Sequence, residues 1–462
     1  MATSAITQTD STTKGALIPR MTNAQKLAIT SPANGLLVYD TDLTEISYYD
    51  GFTWQSSNTL QGMPLPISVG LVSSLRMLKL NKYLAQFYNN SPNNVFFNGY
   101  THGAIGVVSN AYYGGVYSPT QNRIYFVPHA QANQATWHYY DCDTHRIVTY
   151  THGATVSANA YHGGVYVPEV NRIYFIPSGQ ATVATWHYIN CDSGVVVAYT
   201  HGVTAVANAY SGGTYNSALG RIYMAPYAQG PNANWHYINA TLTTPTATAY
   251  AQNNGGATAV TTTSAYSGAI YIPQLGSIYF VPRSQTTFSA WHYVDSEGLI
   301  RSYTQSVYAG SSVITFIQGG GYSPVNNRIY LAIGFTNSAF NTWAYISPGP
   351  NTVTSYTGVS VTGNGYRAAV YSPTQKKIYY VPGVNTPNLV YTLCDTATTD
   401  TYTNRYTLEI NAYHGGIYSP IENSIILIPY SIANNSAWHR IDEFTSFPVD
   451  KGMMSNAVFN KL

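Results

Sequence analysis

The chain carries very little charge. Asp, Glu, Lys and Arg make up 8% of its 462 residues, against about a quarter in an average soluble domain, and the formal net charge is +2. No basic run is present, so the sequence has no electrostatic footprint for nucleic acid or for an anionic membrane surface. No apolar run reaches the roughly 18 residues of a membrane-spanning helix. We therefore expect no nucleic-acid partner and no membrane insertion.

The sequence also lacks the short motifs of common catalytic sites. It has no Gly-x-Ser-x-Gly, no phosphate-binding loop and no Cys-x-x-Cys. Residues 1–15 are polar, which is not the pattern of a signal peptide. These absences indicate no cofactor.

What the sequence does contain is a repeat of about 50 residues. A tyrosine near the start of the repeat returns at steps of 49, 49, 56, 51, 49 and 47 residues. In six of the seven units another tyrosine follows eight positions later. A fixed period of this size predicts a repeat architecture. The seven tyrosines are Tyr117, Tyr166, Tyr215, Tyr271, Tyr322, Tyr371 and Tyr418.

Each repeat predicts four short strands. In the first unit they are residues 111–117, 123–127, 136–140 and 146–150, which are rich in Tyr, Ile, Val and Thr and are separated by turn residues. No segment between them has sustained helical periodicity. Four antiparallel strands per unit are typical of a β-propeller blade. The predicted fold class is all-β: a seven-bladed β-propeller of four-stranded blades, with a small N-terminal attachment module.

A pair of small residues recurs in the first strand of each unit, as Gly114-Gly115 and its counterparts. Glycine weakens a strand interior, so a repeated pair needs a reason. We interpret it as the place where seven backbones converge on the central channel. A β-bulge is the alternative.

The seventh repeat lacks a fourth strand downstream, and a copy of that strand is found upstream of the first repeat. Residues 95–103 resemble residues 148–153, the end of the first unit. We predict that residues 94–103 close the ring as the outer strand of blade 7, which removes an open sheet edge. The predicted divisions are an attachment module at 1–60, a connector at 61–93, the propeller at 94–442 and a tail at 443–462.

The connector has leucines spaced for one apolar helical face. We interpret it as a short helix packed on the propeller, with a self-association helix as the alternative.

Histidines recur at fixed places but are predicted not to bind a metal. Trp-His-Tyr returns in the third strands, and His102, His152 and His201 end three outer strands. Strand spacing keeps equivalent imidazoles about 15 to 19 Å apart, whereas zinc ligands lie roughly 2.1 Å from one ion. We assign the Trp-His-Tyr histidines to hydrogen-bonded packing between blades. The same separation predicts three free cysteine thiols.

The scarcity of carboxylates in the longer loops argues against an enzyme. In a propeller the fourth-to-first and second-to-third connections share one face, and Glu409 is the exceptional acid in those longer loops. A glycosidase needs two carboxylates across one sugar, which these loops do not supply. The aspartates of the third-to-fourth turns, such as Asp141 and Asp295, are interpreted as turn caps. Calcium binding by these turns is the alternative.

The N-terminal segment differs from the repeats. It reads Ile-Pro-Arg-Met at 18–21, Gly-Leu-Leu-Val-Tyr-Asp-Thr at 35–41 and Tyr-Tyr-Asp-Gly-x-x-Trp at 48–54, and it predicts a helical turn and a β-hairpin. These motifs resemble those of the small N-terminal units of tail-fibre-type structural proteins of phages and large viruses. The resemblance covers about forty residues and implies attachment to other structural proteins of a larger assembly.

The long loops predict a ligand class. They are rich in Ala, Thr, Ser, Asn and Gln, and amides and hydroxyls flanked by aromatic rings suit neutral sugars. We predict a neutral-glycan site on this face, with His129, His152 and His201 at its edges. The alternative is that these are solvated loops, the usual state of polar loops.

Two classes of function remain open. The first is a non-enzymatic virion or surface protein of fibre, tail or decoration type, located on a virion or extracellular surface, with a head that binds a host receptor or glycan. The second is a carbohydrate-active lyase or hydrolase on a propeller scaffold. A purely architectural, self-assembling homo-oligomer is hard to separate from the first class.

Overall fold

The computed structural model describes residues 19–33, 36–42, 45–49, 53–56, 95–383, 388–403 and 409–443. The chain divides into two compact units, Met1–Leu84 and Ala85–Leu462. The helix predicted in the connector and the tail after Glu443 lie outside the described residues. In the described part of the chain, no helix is long and apolar enough to cross a membrane.

The N-terminal unit contains the predicted helical turn and hairpin. Strand β1 (Arg20–Met21) pairs in parallel with β2 (Leu37–Asp40), and β3 (Glu45–Tyr49) and β4 (Trp54–Ser56) follow in the sheet order β1-β2-β3-β4. The helix begins with a capping box, in which the Thr22 side chain accepts from the Gln25 backbone N–H and the Gln25 side chain accepts from the Thr22 N–H. This helix, α1, spans Asn23–Leu27.

A buried ion pair ties this helix to the sheet. Lys26 Nζ lies 2.7 Å from Asp40 Oδ2, with both side chains buried, and it also donates to Ser47 Oγ at 3.1 Å. Removing one partner would leave an uncompensated buried charge, which is strongly destabilising.

The second unit consists of seven sheets, which we call blades 1 to 7, and this confirms the predicted fold class. Consecutive strands pair antiparallel within each blade. The strands are, in blade 1, β6 (Tyr112–Ser118), β7 (Arg123–Pro128), β8 (Thr136–Asp141), β9 (Arg146–Thr151); in blade 2, β10 (Tyr161–Val167), β11 (Arg172–Pro177), β12 (Thr185–Asn190), β13 (Val195–Thr200); in blade 3, β14 (Tyr210–Asn216), β15 (Arg221–Pro226), β16 (Asn234–Asn239), β17 (Thr246–Ala251); in blade 4, β18 (Tyr266–Ile272), β19 (Ser277–Pro282), β20 (Ala290–Val294), β21 (Ile300–Thr304); in blade 5, β22 (Ile314–Ser323), β23 (Arg328–Ser347), β24 (Thr352–Asn364); in blade 6, β25 (Tyr366–Ser372), β26 (Lys377–Pro382), β27 (Asn388–Leu393), β28 (Thr398–Thr403); and in blade 7, β29 (Tyr413–Ser419), β30 (Ser424–Pro429), β31 (Ala437–Glu443) and β5 (Val95–Thr101).

Blade 5 departs from the predicted four separate strands. Its second and third strand segments both lie within β23, which has 20 residues. The rings of Tyr330 and Tyr345 are 5.7 Å apart, although 15 residues of extended chain would span about 50 Å. The chain therefore doubles back inside β23. Its pairing with β24 continues through the segment where the other blades have an open loop between the second and third strands.

Strand β5 completes the sheet of blade 7. It pairs antiparallel with β31 over seven residue pairs, from Thr101 opposite Ala437 to Val95 opposite Glu443. This is the pairing expected from the repeat. Phe97 is buried and stacks on the His439 ring at 5.0 Å, so the closing strand also contributes to the core.

Buried aromatic side chains form the core between blades. Six tryptophans are fully buried, one in each blade except blade 6: Trp137, Trp186, Trp235, Trp291, Trp343 and Trp438. Five of them are followed by a histidine that hydrogen-bonds a tyrosine hydroxyl, whereas Trp343 is followed by Ala344. In blade 1 the Tyr112 hydroxyl donates to His138 Nδ1 at 2.5 Å, and His138 Nε2 donates to the Ile105 carbonyl at 3.0 Å. The three cysteines are buried and free.

Candidate functional site at the propeller axis

The site begins with a distortion of the first strand in every blade. In blade 1, Tyr112 faces Pro128 and Gly115 faces Phe126. Strand β6 therefore advances three residues where β7 advances two, so β6 contains one extra residue. Each of the other blades has the same kind of extra residue at the equivalent place. A bulge of this kind re-aims a side chain. The β-bulge that was the alternative explanation of the small pair is thus present, and the convergence of the first strands on the channel is present as well.

The glycines allow both features. Gly114 has φ +91°, and Gly163 has φ +90°. A Cβ on Gly163 would lie 3.1 Å from the Gly212 Cα in the next blade. The chain therefore passes the axis with backbone against backbone, and the residue before each small pair lies at one end of the channel.

We name the residues that collect there the axial cluster. They come from the start of the first strand or from the position after the second strand, and these lie at the same sheet edge because the two strands are antiparallel. This edge carries the fourth-to-first and second-to-third loops. The cluster comprises Tyr113, His129, His162, Ser211, Tyr227, Ser267, Arg283, Gln318, Arg367, His414 and Tyr430.

One half of the axial cluster is an aromatic stack. The Tyr113 ring lies between those of His162 and His414, with centroids 4.0 and 3.4 Å away. His129 packs against His162 at 4.8 Å. Burial raises the pKa of Tyr113, and the nearby charges of Arg283 and Arg367 lower it, so the stack lies close to the arginines of the cluster.

The other half carries two arginines. Arg283 lies over the rings of Tyr227 and Phe316, with its guanidinium carbon 5.4 and 4.6 Å from their centroids. Arg367 Nη1 donates to Gln318 Oε1 at 2.6 Å, and its Nη2 donates to the Asn411 side-chain oxygen. These contacts hold both guanidinium groups in place without neutralising them.

No carboxylate in the described residues forms an ion pair with either arginine. The acid of the loop face, Glu409, instead accepts from Asn435 Nδ2 at 3.1 Å. Burial lowers the pKa of Arg367, and the nearby charge of Arg283 lowers it further. The axial cluster is therefore a cationic site without an internal counter-ion.

The histidines of the cluster are held neutral. Burial lowers the pKa of His129 to about 4. Burial also lowers the pKa values of His162 and His414 well below the ordinary value, and for His414 the charge of Arg367 adds to the effect. A neutral imidazole both donates and accepts, so these rings can bind hydroxyl groups.

Several polar atoms of the cluster have no hydrogen-bond partner among the described residues. They include Nδ1 of His129, Nδ1 of His162, Nε2 of Gln318 and Nε of Arg367. Gln318 is 4% exposed and His129 is 9% exposed. Buried polar groups are normally satisfied, so such atoms at one place indicate a ligand.

The cluster borders a cavity in the channel. Its volume is about 190 Å³, and its walls include Tyr113, His162, Gln318, Arg367 and His414. Pockets that enclose a drug-sized ligand measure roughly 300–1,000 Å³. The cavity therefore has room for one small group, such as a single sugar unit or its substituent.

The three histidines predicted from the sequence lie at different places. His129 belongs to the axial cluster. His152 and His201 lie near the outer strands, where they stack on Trp137 and Trp186 with ring centroids 4.0 Å apart. Each also hydrogen-bonds a backbone carbonyl, that of Gln134 at 2.5 Å or that of Val183 at 2.7 Å.

The outer histidines border shallow recesses in the loop face. One recess is lined by residues 133–135 and 151–156 of blade 1, including His152. A second is lined by residues 202–204 and 232–234, among others, next to His201. The hydroxyls and amides of these loops, including Thr155 and Thr204, are available to a ligand.

Sequence reasoning missed most of the axial cluster. Arg283 and Arg367 belong to different repeats and fill different positions of the repeat, so no motif connects them. A signal was present, since the residue before each small pair is polar in every unit. Aligning the seven repeats position by position would have identified this set of polar residues.

The described residues contain no group of three or more His, Cys, Asp or Glu that could hold a metal ion. The turn aspartates act as caps: Asp141 Oδ1 accepts from the Thr144 N–H at 2.9 Å, and Asp295 Oδ1 accepts from the Leu299 N–H at 2.9 Å. The axial cluster has donors, aromatic faces and two cations, which is chemistry suited to binding.

Comparisons with known proteins address the two units separately. Residues 2–70 match the family described as "Phage tail like trimerisation region". The resemblance of the N-terminal segment to tail-type structural proteins is thereby confirmed. No curated protein matches the chain.

Solved structures match the propeller. The extracellular domain of a one component system from B. thetaiotaomicron superposes with a TM-score of 0.51 at 11% identity, over 76% of this chain and 40% of that one. A chain of the mitotic checkpoint complex gives 0.52 at 8% identity, over 78% and 94%. Kuenenia stuttgartiensis hydrazine synthase gives 0.50 at 10% identity, over 75% and 99%. The present chain thus spans only two fifths of the first of these proteins. At such identities the likeness concerns the fold alone: the second unit is similar to propeller structures, and residues 2–70 are similar to a phage-tail-like trimerisation region.

Proposed function

We propose that this chain is a non-enzymatic, trimeric structural protein of a virion tail or a related extracellular surface assembly. Its N-terminal module attaches it to other structural proteins, and its propeller head binds a receptor glycan on the loop face. The observation that carries the proposal is the trimerisation-region match at residues 2–70 on the same chain as a repeat propeller. Trimerisation would present three heads, so weak individual sites would gain avidity.

The loop face supports the glycan part of the proposal. The recesses beside His152 and His201 are lined by hydroxyl, amide and small apolar side chains. Such groups suit the hydroxyls and apolar faces of neutral sugars. The loop face lacks the two carboxylates that glycoside hydrolysis commonly uses, which favours binding over the hydrolase alternative.

A glycan array probed with the full chain tests this proposal. The paired change Thr155→Glu and Thr204→Glu places charge in both recesses at exposed positions. We expect it to reduce binding of neutral glycans at least about tenfold, the effect of roughly 1.4 kcal/mol. Ser217→Glu adds the same charge in an exposed turn of the opposite face and is expected to leave binding unchanged.

Two outcomes would contradict the proposal. One is no binding of any glycan by the intact chain. The other is binding that the loop charges leave unaltered. Either would favour a purely architectural head.

A further inference from the structure

The axial cluster differs in charge from the recesses around it. Arg283 and Arg367 are the cations at this end of the channel in the described residues, and neither has a carboxylate partner there. Two uncompensated cations in a partly buried site repel each other, and an anion placed between them would relieve that repulsion.

The unpartnered atoms point to the same place. Gln318 Nε2 is a buried donor on the cavity wall. The Nε of Arg367 is a second donor without a partner among the described residues, on a guanidinium whose Nη atoms are already bound. Both residues line the cavity, from two neighbouring blades, and a carboxylate can accept hydrogen bonds from both.

We propose that the axial cluster is a subsite for a carboxylate, which identifies the ligand of the head as a glycan containing an acidic sugar. The identification of a sugar rests on the proposed glycan binding. The guanidinium groups bind the carboxylate, and the sugar ring enters the cavity, whose walls include Tyr113, His162 and His414. Sugar hydroxyls then hydrogen-bond the neutral His129 and His162.

The choice of carboxylate over other anions follows from the donors. Arginine presents its donors as a planar fork that matches a carboxylate in two parallel hydrogen bonds. The cavity of about 190 Å³ has room for one sugar unit but not for a chain. An acidic residue at the end or on a branch of a neutral glycan would therefore lie at the axis while its neighbours occupy the recesses.

The test compares an oligogalacturonate with its fully methyl-esterified form, which differs only in the masked carboxylates. Both are applied to the immobilised full chain. We expect the acidic form to bind at least about tenfold more tightly. Dextran sulfate provides a sulfate source, and we expect it to bind more weakly than the carboxylate ligand.

Substitutions locate the binding. Arg283→Gln is expected to weaken binding of oligogalacturonate at least about tenfold, and Arg283→Lys, which keeps the charge but loses the fork, by an intermediate factor. Arg221→Gln is the matched control, because Arg221 also lies over a tyrosine, Tyr237, but at the other end of the second strand. It is expected to bind like the parent chain. If Arg283→Gln does not fold, displacement of the oligomer by free galacturonate, but not by galactose, gives the same information on the parent chain.

Equal binding of acid and ester would overturn the inference, as would no binding of the acid. A preference for sulfate that Arg283→Lys preserves would also overturn it, since charge alone would then suffice. If arrays find only neutral glycans, blocked by the recess substitutions and unaffected by Arg283→Gln, the proposed function stands and this inference falls. Binding of oligogalacturonate that Arg283→Gln abolishes, with no neutral glycan bound and no effect of the recess substitutions, would reverse that result.

Discussion

At the scale of single residues, the propeller depends on positions where two blades touch through backbone alone. Gly163 faces Gly212 in this way, and Gly415 faces Gly114, with 3.1 Å from a built Cβ to the opposing Cα in each case. A side chain at either position would require the backbone of the neighbouring blade to move by a few tenths of an ångström. The repeated small pair is therefore explained by the approach between blades as well as by the bulge.

We predict that Gly163→Ala destabilises the protein by about 1–3 kcal/mol more than Gly153→Ala. Both glycines have positive φ, +90° and +66°, so both substitutions strain the backbone. A Cβ on Gly163 meets the next blade, whereas one on Gly153 meets nothing within 4 Å. Urea unfolding of the two variants measures the difference. Equal losses would show that the inter-blade contact is not limiting.

The buried histidines predict a pH dependence of stability. Burial lowers the pKa of His138, His187, His236 and His439 to about 4, against about 6.5 in the unfolded chain. Between these values the unfolded state binds more protons, so stability falls as pH falls from 6.5 towards 4 and is unaffected by these groups above 6.5. Each contributes at most about 1.4 kcal/mol per pH unit.

Unfolding free energies at pH 7.5, 6.5 and 5 check this expectation, since carboxylates remain mostly ionised in that interval. His138→Gln removes one such group and is expected to reduce the slope between pH 6.5 and 5. A stability that stays flat or rises over that interval would contradict the prediction.

At the scale of elements, the ring is closed by a strand from the other end of the propeller sequence. Seven residue pairs join β5 to β31, and His102 stacks on Trp438 with ring centroids 3.8 Å apart. Without β5, β31 would become an open edge, and the aromatic core beneath it would be exposed to water.

We predict that deletion of residues 1–103 unfolds the propeller, whereas deletion of residues 1–60 leaves its melting temperature within a few degrees of the parent value. The first deletion removes β5 with Phe97 and His102, and loss of one buried aromatic side chain alone costs about 3–5 kcal/mol. Calorimetry and circular dichroism measure both fragments. A cooperative 104–462 fragment with unchanged thermal stability would contradict this account.

At the scale of the whole molecule, the two units are expected to divide attachment and recognition between them. We predict that the full chain is a trimer and that a fragment beginning at residue 94 is a folded monomer, because the family match at residues 2–70 concerns trimerisation. Light scattering after size-exclusion chromatography measures both masses. A trimeric fragment would assign self-association to the propeller instead.

Attachment gives a separate prediction. We expect residues 1–60 to direct incorporation into the parent assembly. Incorporation of the isolated propeller, without incorporation of the N-terminal segment, would show the opposite division.

The sequence by itself determined the repeat, the fold and the order of the blades. Strand periodicity and the spacing of Tyr117, Tyr166 and their counterparts are local, so they are readable without tertiary contacts. The pairing of β5 was likewise predictable, because its sequence resembles that of the outer strands of other blades. The continuous β23 was not predicted, since the continued pairing depends on neighbouring strands that its own residues do not reveal.

The axial cluster was decided only by the tertiary structure. Arg283 and Arg367 are 84 positions apart and lie in different repeats, and they share one site only because seven first strands converge on an axis. The bulge directs Gln318 and Arg367 to that axis, and a bulge depends on pairing between strands. The charge of the site follows because no carboxylate of the described residues pairs with either arginine, and this becomes visible only when the loops are placed on one face.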